Sequence, residues 1–390
     1  MNSKKIVLLR IITVSMSFRL LLKGQLKFMS QYFTNYAASS PGEELYELED
    51  LENTKPYPIA MRRKPSPIRD LLSLIKVKRL IYKLKPTIVH SHTPKAGLLG
   101  MMAAYFAKVP IRLHTVAGIP WMESRGMKRW VLKKMEKLTY HFATHVYSNS
   151  FAMYDFILVN KLIRSDKISV IGQGSTNGID TSWYDNTVEV RKEANNLRNH
   201  YKLGEYKVLL FVGRLVKDKG IEELLEAYDV LKQTYKIKLF LVGPFEKDRD
   251  PLSRQAIHFI ENDPNIIITG YVKDVRPYMA ISYLLAFPSY REGFPNVPLQ
   301  AGAMGLPSVV TDINGCNEII QHGVNGLVVQ PKSVSSLLSA LDCLLSMQEV
   351  YKKIASNARP MITARFEQKQ IWELILKEYQ RHLKNNGLVK

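Results

Sequence analysis

Leu284-Leu285-Ala286-Phe287-Pro288-Ser289-Tyr290-Arg291-Glu292-Gly293-Phe294-Pro295-Asn296-Val297-Pro298-Leu299-Gln300 reads as a short apolar strand, a turn and the start of an amphipathic helix. The turn holds one carboxylate, one glycine and two prolines, and the helix begins near Asn296. A helix start presents unpaired backbone N–H groups and the positive end of a dipole, which attract a phosphate. Glu292, just ahead of it, is placed to accept hydrogen bonds from sugar hydroxyls. Gln300, one turn in, is placed to donate and accept at a ribose. The same spacing also describes a capped helix packed on a sheet, with Glu292 as a capping charge.

Outward from this stretch, short β-branched runs alternate with helical patterns through both halves of the 390 residues. Strands are expected at 6–12, 36–39, 58–61, 87–90, 111–115, 145–148 and 167–171, with helices at 68–84, 96–107, 127–142 and 151–160. The rhythm restarts with strands at 207–212, 238–242, 265–269, 284–287, 308–310 and 327–329, and with helices starting near Gly220, Asp250, Asp274, Asn296, Asn317 and Ser333. Such alternation predicts an α/β fold, two doubly wound Rossmann-like domains facing a cleft, with ligands beyond the carboxyl ends of the strands. The domains are expected at 1–180 and 181–365, with the polar segment 177–204 as hinge and 366–390 as a final helix.

After the first strand of the second half, Val212-Gly213-Arg214-Leu215-Val216-Lys217-Asp218-Lys219-Gly220 opens another helix. A glycine that permits a tight exit, followed by cations, suits a pyrophosphate, and lysines at a helix N-terminus are unfavourable unless an anion is expected there. Lys217 and Asp218 are read as surface residues. The Asp-x-Asp string Asp248-Arg249-Asp250 has the form of a manganese site but precedes a helix and is read as its cap. His90 and His92, two apart with no nearby Cys or carboxylate, make a poor metal site.

A formal net charge of +20 points to a polyanionic partner: nucleic acid, an anionic membrane surface or a phosphorylated substrate. The sequence shows no recognised nucleic-acid motif, which sets a basic nucleic-acid-binding protein aside as the rival from another class. Two cysteines, Cys316 and Cys343, suit a reducing compartment. No run reaches the roughly 20 apolar residues of a membrane-spanning helix, so the expected location is the cytoplasm, with peripheral membrane contact. The basic residues crowd at 62–85 and on the helix after Trp121, which sets Met127, Trp130, Val131, Met135, Leu138 and Phe142 on one face and Lys128, Arg129, Lys133, Lys134 and Lys137 on another. Its apolar face is expected to pack on its own sheet. The basic face is the candidate for contact with anionic lipid.

The motif around Glu292 closely resembles the donor site of the retaining family 4 glycosyltransferases, in which a Glu is followed after seven residues by a second Glu; here the second position is Gln300. Asp312-Ile313-Asn314-Gly315-Cys316-Asn317-Glu318 and His322-Gly323-Val324-Asn325-Gly326 also look like that family's C-terminal pattern. The resemblance implies a GT-B architecture, with the last helix returning to the first domain. Catalytic roles fall on Glu292 and His114 at the donor sugar and on Arg214 and Lys219 at the leaving diphosphate. Donor-binding roles fall on Gly24, Gly213, Gly243, Val272, Gly293, Phe294, Pro295, Asn296 and Gln300, with Gln300 holding the ribose without the charge-assisted bond of a carboxylate. Residues 16–24, ending at Gly24, resemble the loop that approaches the donor phosphates. No metal or cofactor is expected, since cations replace the metal at the diphosphate.

The implied function is metal-independent, retaining transfer of a sugar from a nucleotide diphosphate, with UDP as the expected carrier, to a glycan or polyprenyl-diphosphate-linked acceptor in surface polysaccharide biosynthesis. The same-architecture alternative is a UDP-sugar 2-epimerase, which needs no acceptor.

Overall fold

The computed structural model describes residues 6–246 and 250–389. The chain divides into two compact units: residues 1–178 with 369–390, and residues 179–368.

In the first unit, β1 (Val7–Ile11), β2 (Thr34–Ser39), β3 (Lys55–Pro58), β4 (Ile88–His92), β5 (Ile111–Val116), β6 (His145–Ser148) and β7 (Ile168–Val170) form a parallel sheet in the order β3-β2-β1-β4-β5-β6-β7. In the second unit, β8 (Lys207–Val212), β9 (Ile237–Val242), β10 (Ile266–Gly270), β11 (Leu284–Phe287), β12 (Ser308–Thr311) and β13 (Gly326–Val329) pair in parallel in the order β10-β9-β8-β11-β12-β13. Strands such as β8 and β11 are apolar almost throughout because helices cover both faces of a parallel sheet. The final helix, Gln368–Asn385, belongs to the first unit from Lys369 on; its stripe of Ile371, Ile375, Tyr379 and Leu383 is buried with Leu8, Ile88 and Leu113 of the first sheet.

Three expectations are corrected and one gains detail. The polar segment 177–204 holds the division between the units at 178/179, and within it Thr187 caps a helix, Val188–His200, that buries Val190 and Ala194. Two small apolar residues one turn apart suffice to dock an otherwise polar helix. The strand at 58–61 lies earlier, at Lys55–Pro58, where its prolines are tolerated because β3 is the sheet edge. The stretch after β1 is no loop: helices Met16–Leu22 and Gln25–Ser30 occupy it, joined through Gly24 at φ 81°. Helix Gly126–Phe142 buries Glu136, Thr139 and Tyr140, with Leu132 and Met135 half-buried beside them, and leaves Met127, Trp130, Val131 and Leu138 exposed.

Candidate functional site

A parallel sheet opens a crevice where its strand order reverses, because the connections on either side leave in opposite directions. In the second sheet the reversal lies between β8 and β11. The loops there are the two that the sequence singled out. They are held by close backbone approaches: a Cβ at Gly220 would lie 2.1 Å from the Pro288 carbonyl, and one at Gly243, after β9, 1.9 Å from the Gly213 carbonyl. Only glycine fits at either position.

Across this junction the Lys219 ammonium donates to the Glu292 carboxylate, with the two side chains 14% and 16% exposed. Ser289 Oγ donates to the same carboxylate at 3.0 Å. The loop is braced from behind. Thr311 donates to the Ser289 carbonyl, and Asn314 Nδ2 donates to the carbonyls of Glu292 and Gly293 at 3.2 and 2.7 Å. Gly315, at φ 77°, sits so close that a Cβ would lie 2.5 Å from the Gly293 carbonyl. Helix Asn296–Ala303 follows with no side-chain cap, so its first amides have no side-chain acceptor. Pro295 is its extended N-cap, and Phe294 meets Phe366 edge-on at 5.5 Å.

The remaining second-unit candidates are placed separately. Arg214 turns to Glu246 at 2.6 Å. Gln300 Nε2 donates to the Tyr184 hydroxyl at 2.8 Å, leaving its carbonyl oxygen as an acceptor. Val272 packs against the second unit's core just past Gly270, which ends β10 at φ 67°. Asp218, expected on the surface, is 13% exposed and takes Arg291 at 2.6 Å; Lys217 is half exposed beside Glu222. Asp248 and Arg249 lie outside the described residues, and the helix after them is capped by Ser253 rather than by Asp250. Sequence reading missed Ser289, whose hydroxyl turns onto Glu292 within the same loop, and Asn314, Thr311, Glu246 and Tyr184, whose roles are visible only as contacts between separate segments of the chain.

In the first unit the reversal lies between β1 and β4. There a cavity of about 350 Å³ is lined by Thr13, Ser17, Arg63, Thr93, Lys95 and Glu136. Thr93 holds φ 68°, rarely adopted by a β-branched residue, with its hydroxyl 2.7 Å from that of Thr13. Lys95 is paired with Asp70. Burial pushes the Glu136 carboxyl up to about 7, a shift that the neighbouring Tyr140 hydroxyl only partly offsets.

His114 is 2% exposed, with Nδ1 2.9 Å from Ser91 Oγ. Its ring sits under Gly97, where a Cβ would lie 2.5 Å from Cε1, and burial lowers its pKa to about 4, so it is a neutral imidazole. The Gly24 amide donates to Glu52 at 2.6 Å, and Glu52 also accepts from the Lys27 amide. The chain's own carboxylate therefore takes the helix start at which a donor phosphate was expected.

His90 and His92 are stacked at 4.5 Å beside the fully buried Arg10, which donates to His92 Nε2 at 2.8 Å, to Gln25 Oε1 at 2.6 Å and to the Tyr379 hydroxyl. Burial first, and the guanidinium second, hold both imidazoles well below their ordinary pKa. Among the described residues no group of three or more His, Cys, Asp or Glu is arranged to hold a metal ion.

Two units, each a parallel sheet covered by helices with its crevice at the reversal of strand order, make up a GT-B fold. Residues 33–183 match the family described as Glycosyltransferase Family 4, and residues 193–361 match Glycosyl transferases group 1; the chain belongs to this glycosyltransferase family. It is 31% identical to the capsular polysaccharide biosynthesis glycosyltransferase CapM of Staphylococcus aureus over 99% of both chains. It is 27% identical to the N,N'-diacetylbacillosaminyl-diphospho-undecaprenol alpha-1,3-N-acetylgalactosaminyltransferase of Campylobacter jejuni, covering 83% of this chain and 85% of the relative. Its fold matches Anabaena HepE, solved in complex with UDP, at a TM-score of 0.80 and 21% identity over 96% of this chain and 100% of the other.

Proposed function

We propose that the enzyme transfers a sugar, with retention of configuration and without a metal, from a nucleotide diphosphate, UDP as the expected carrier, to a polyprenyl-diphosphate-linked acceptor in surface polysaccharide assembly. The observation that carries this reading is the Lys219–Glu292 pair, braced by Ser289 and Asn314 ahead of an uncapped helix start. A partly buried lysine already balanced by a carboxylate can reach a diphosphate without the cost of burying an isolated charge. The acceptor class is supported by the name of the Campylobacter relative, surface polysaccharide assembly by that of the Staphylococcus relative, and UDP by the ligand of HepE.

In this reading the bond between the sugar's anomeric carbon and the diphosphate oxygen breaks, and the acceptor oxygen attacks from the same face. The departing phosphate takes the acceptor proton. Lys219 and the amides at Asn296 spread the charge on the diphosphate, joined by Arg214 when it leaves Glu246, Glu292 orients the sugar, and Gln300 holds the ribose. Cations in place of clustered carboxylates fit a site that needs no metal. The test is incubation with radiolabelled UDP-sugars and a polyprenyl-diphosphate-sugar, with and without chelator, followed by determination of the product's anomeric configuration. Inverted product, loss of turnover on chelation, or epimer formed without acceptor would overturn the corresponding part.

A further inference from the structure

A primary amide donates at one end and accepts at the other, and the two ends have nearly the same shape. A carboxylate at the same place accepts at both oxygens and needs no turning. Gln300, standing one turn into helix Asn296–Ala303, therefore presents a defined face only if a partner fixes which end points where. The structure supplies one, 116 positions away in the chain: Gln300 Nε2 donates to the Tyr184 hydroxyl at 2.8 Å. Among the described residues neither the side-chain amide nor that hydroxyl has another hydrogen-bond partner.

We propose that Tyr184 is a positioning residue of the donor site: by taking Nε2 it aims the Gln300 carbonyl oxygen at the ribose diol of the nucleotide. The inference rests on the donor reading above. Both sides of the contact are fixed from behind by one cation. Arg359, on helix Gln348–Phe366, donates through Nη1 to the Tyr184 carbonyl at 2.8 Å and to the Ala303 carbonyl at the end of the helix that carries Gln300. Its Nη2 donates to the Thr181 carbonyl at 2.9 Å. The Tyr184 amide closes a turn on the Asp180 carbonyl at 2.9 Å. Arg276 lies over the Trp183 ring at 3.6 Å and donates to the Trp183 carbonyl at 2.9 Å. So many ties on residues 180–184 leave the phenol little freedom to follow a flipped amide. Burial, with Asp274 nearby, pushes the Tyr184 hydroxyl up to about 12, so it stays a neutral phenol that can accept from Nε2.

The test measures binding of UDP and of 2′,3′-dideoxy-UDP to the full chain by calorimetry, with melting temperatures alongside. Wild type should bind UDP about tenfold or more tightly than the analogue, because a site built to bond a hydroxyl rejects a ligand lacking it. Tyr184→Phe removes only the hydroxyl. It should weaken UDP binding by about tenfold and binding of the analogue by less than about twofold, with the melting temperature close to wild type. In a Gln300→Glu background, where either oxygen can accept, the same substitution should weaken UDP by less than about twofold. Equal binding of the two ligands by wild type, equal weakening of both by Tyr184→Phe, an equal loss in the two backgrounds, or UDP binding by Tyr184→Phe within about twofold of wild type would overturn the inference and leave the donor reading standing. Failure of wild type to bind UDP would overturn the donor reading itself, and this inference with it.

Discussion

Replacing Lys219 by Met removes the ammonium but keeps most of the side-chain volume, and it separates two roles of the Lys219–Glu292 pair. With both side chains about one-seventh exposed, the carboxylate left behind keeps only the Ser289 hydroxyl as a side-chain partner. Breaking a buried pair costs about 3–5 kcal/mol, and the residual exposure here brings the expectation to about 2–3 kcal/mol. For a unit of this size that lowers the melting temperature by about 5–10 °C. Adding Glu292→Gln removes the orphaned charge, so the double variant should recover most of that loss. Activity should behave differently. If Lys219 stabilises charge on the departing diphosphate, Lys219→Met should lower kcat by about 100-fold or more, and the double variant should stay at least as inactive. The assay pairs thermal melts of all four forms with single-turnover release of the nucleotide diphosphate. Turnover by Lys219→Met within about threefold of wild type, or recovery of turnover along with stability in the double variant, would refute the assignment, because the pair would then be only a structural brace.

Glu136 gives a pH signature. Its folded pKa, about 7, lies above the 4.5 of an ordinary glutamate, so its contribution is fully present below pH 4.5 and is lost as pH rises through 7. That corresponds to about 3 kcal/mol, and Glu136→Gln should match wild type near the acid end but exceed it above neutrality by about that amount in denaturant titrations at matched pH. Gln300→Glu restores a carboxylate that can accept from the Tyr184 hydroxyl instead of donating to it; the KM for the nucleotide sugar should fall by about tenfold with kcat within about threefold, read from initial rates. Gly243→Ala drives a methyl group to 1.9 Å from the Gly213 carbonyl, so the β8 and β9 loops must part. It should cost about 3 kcal/mol or more in chemical denaturation and remove donor binding measured by calorimetry.

The alternation of apolar runs and helical periods was enough to predict two parallel, doubly wound sheets, because a strand buried on both faces must be apolar throughout and its crossover helix amphipathic. The Glu292 loop and the Gly213–Gly220 loop were legible from local chemistry: cations at a helix start are unfavourable unless something negative is held there, and a carboxylate ahead of an open helix start sets an acceptor beside unpaired amides. Strand order was not legible, and strand order is what sets β8 beside β11 and so brings Lys219 to Glu292. Composition was also silent where averages hide pairs: Val190 and Ala194 dock a helix inside a polar stretch. Helical periodicity found the apolar faces of residues 67–84 and 126–142 but not which face meets the sheet, since each helix is apolar on more than one side. Nor could it foresee Glu52 on the Gly24 amide, or Arg10 closed in by Gln25, His92 and Tyr379. Local chemistry thus determined what each loop is suited to hold, because propensity and charge act over a few residues. Only the tertiary structure decided which loops meet and which faces stay uncovered, because those follow from packing between residues distant in the chain, such as Lys219 and Glu292 or Arg10 and Tyr379.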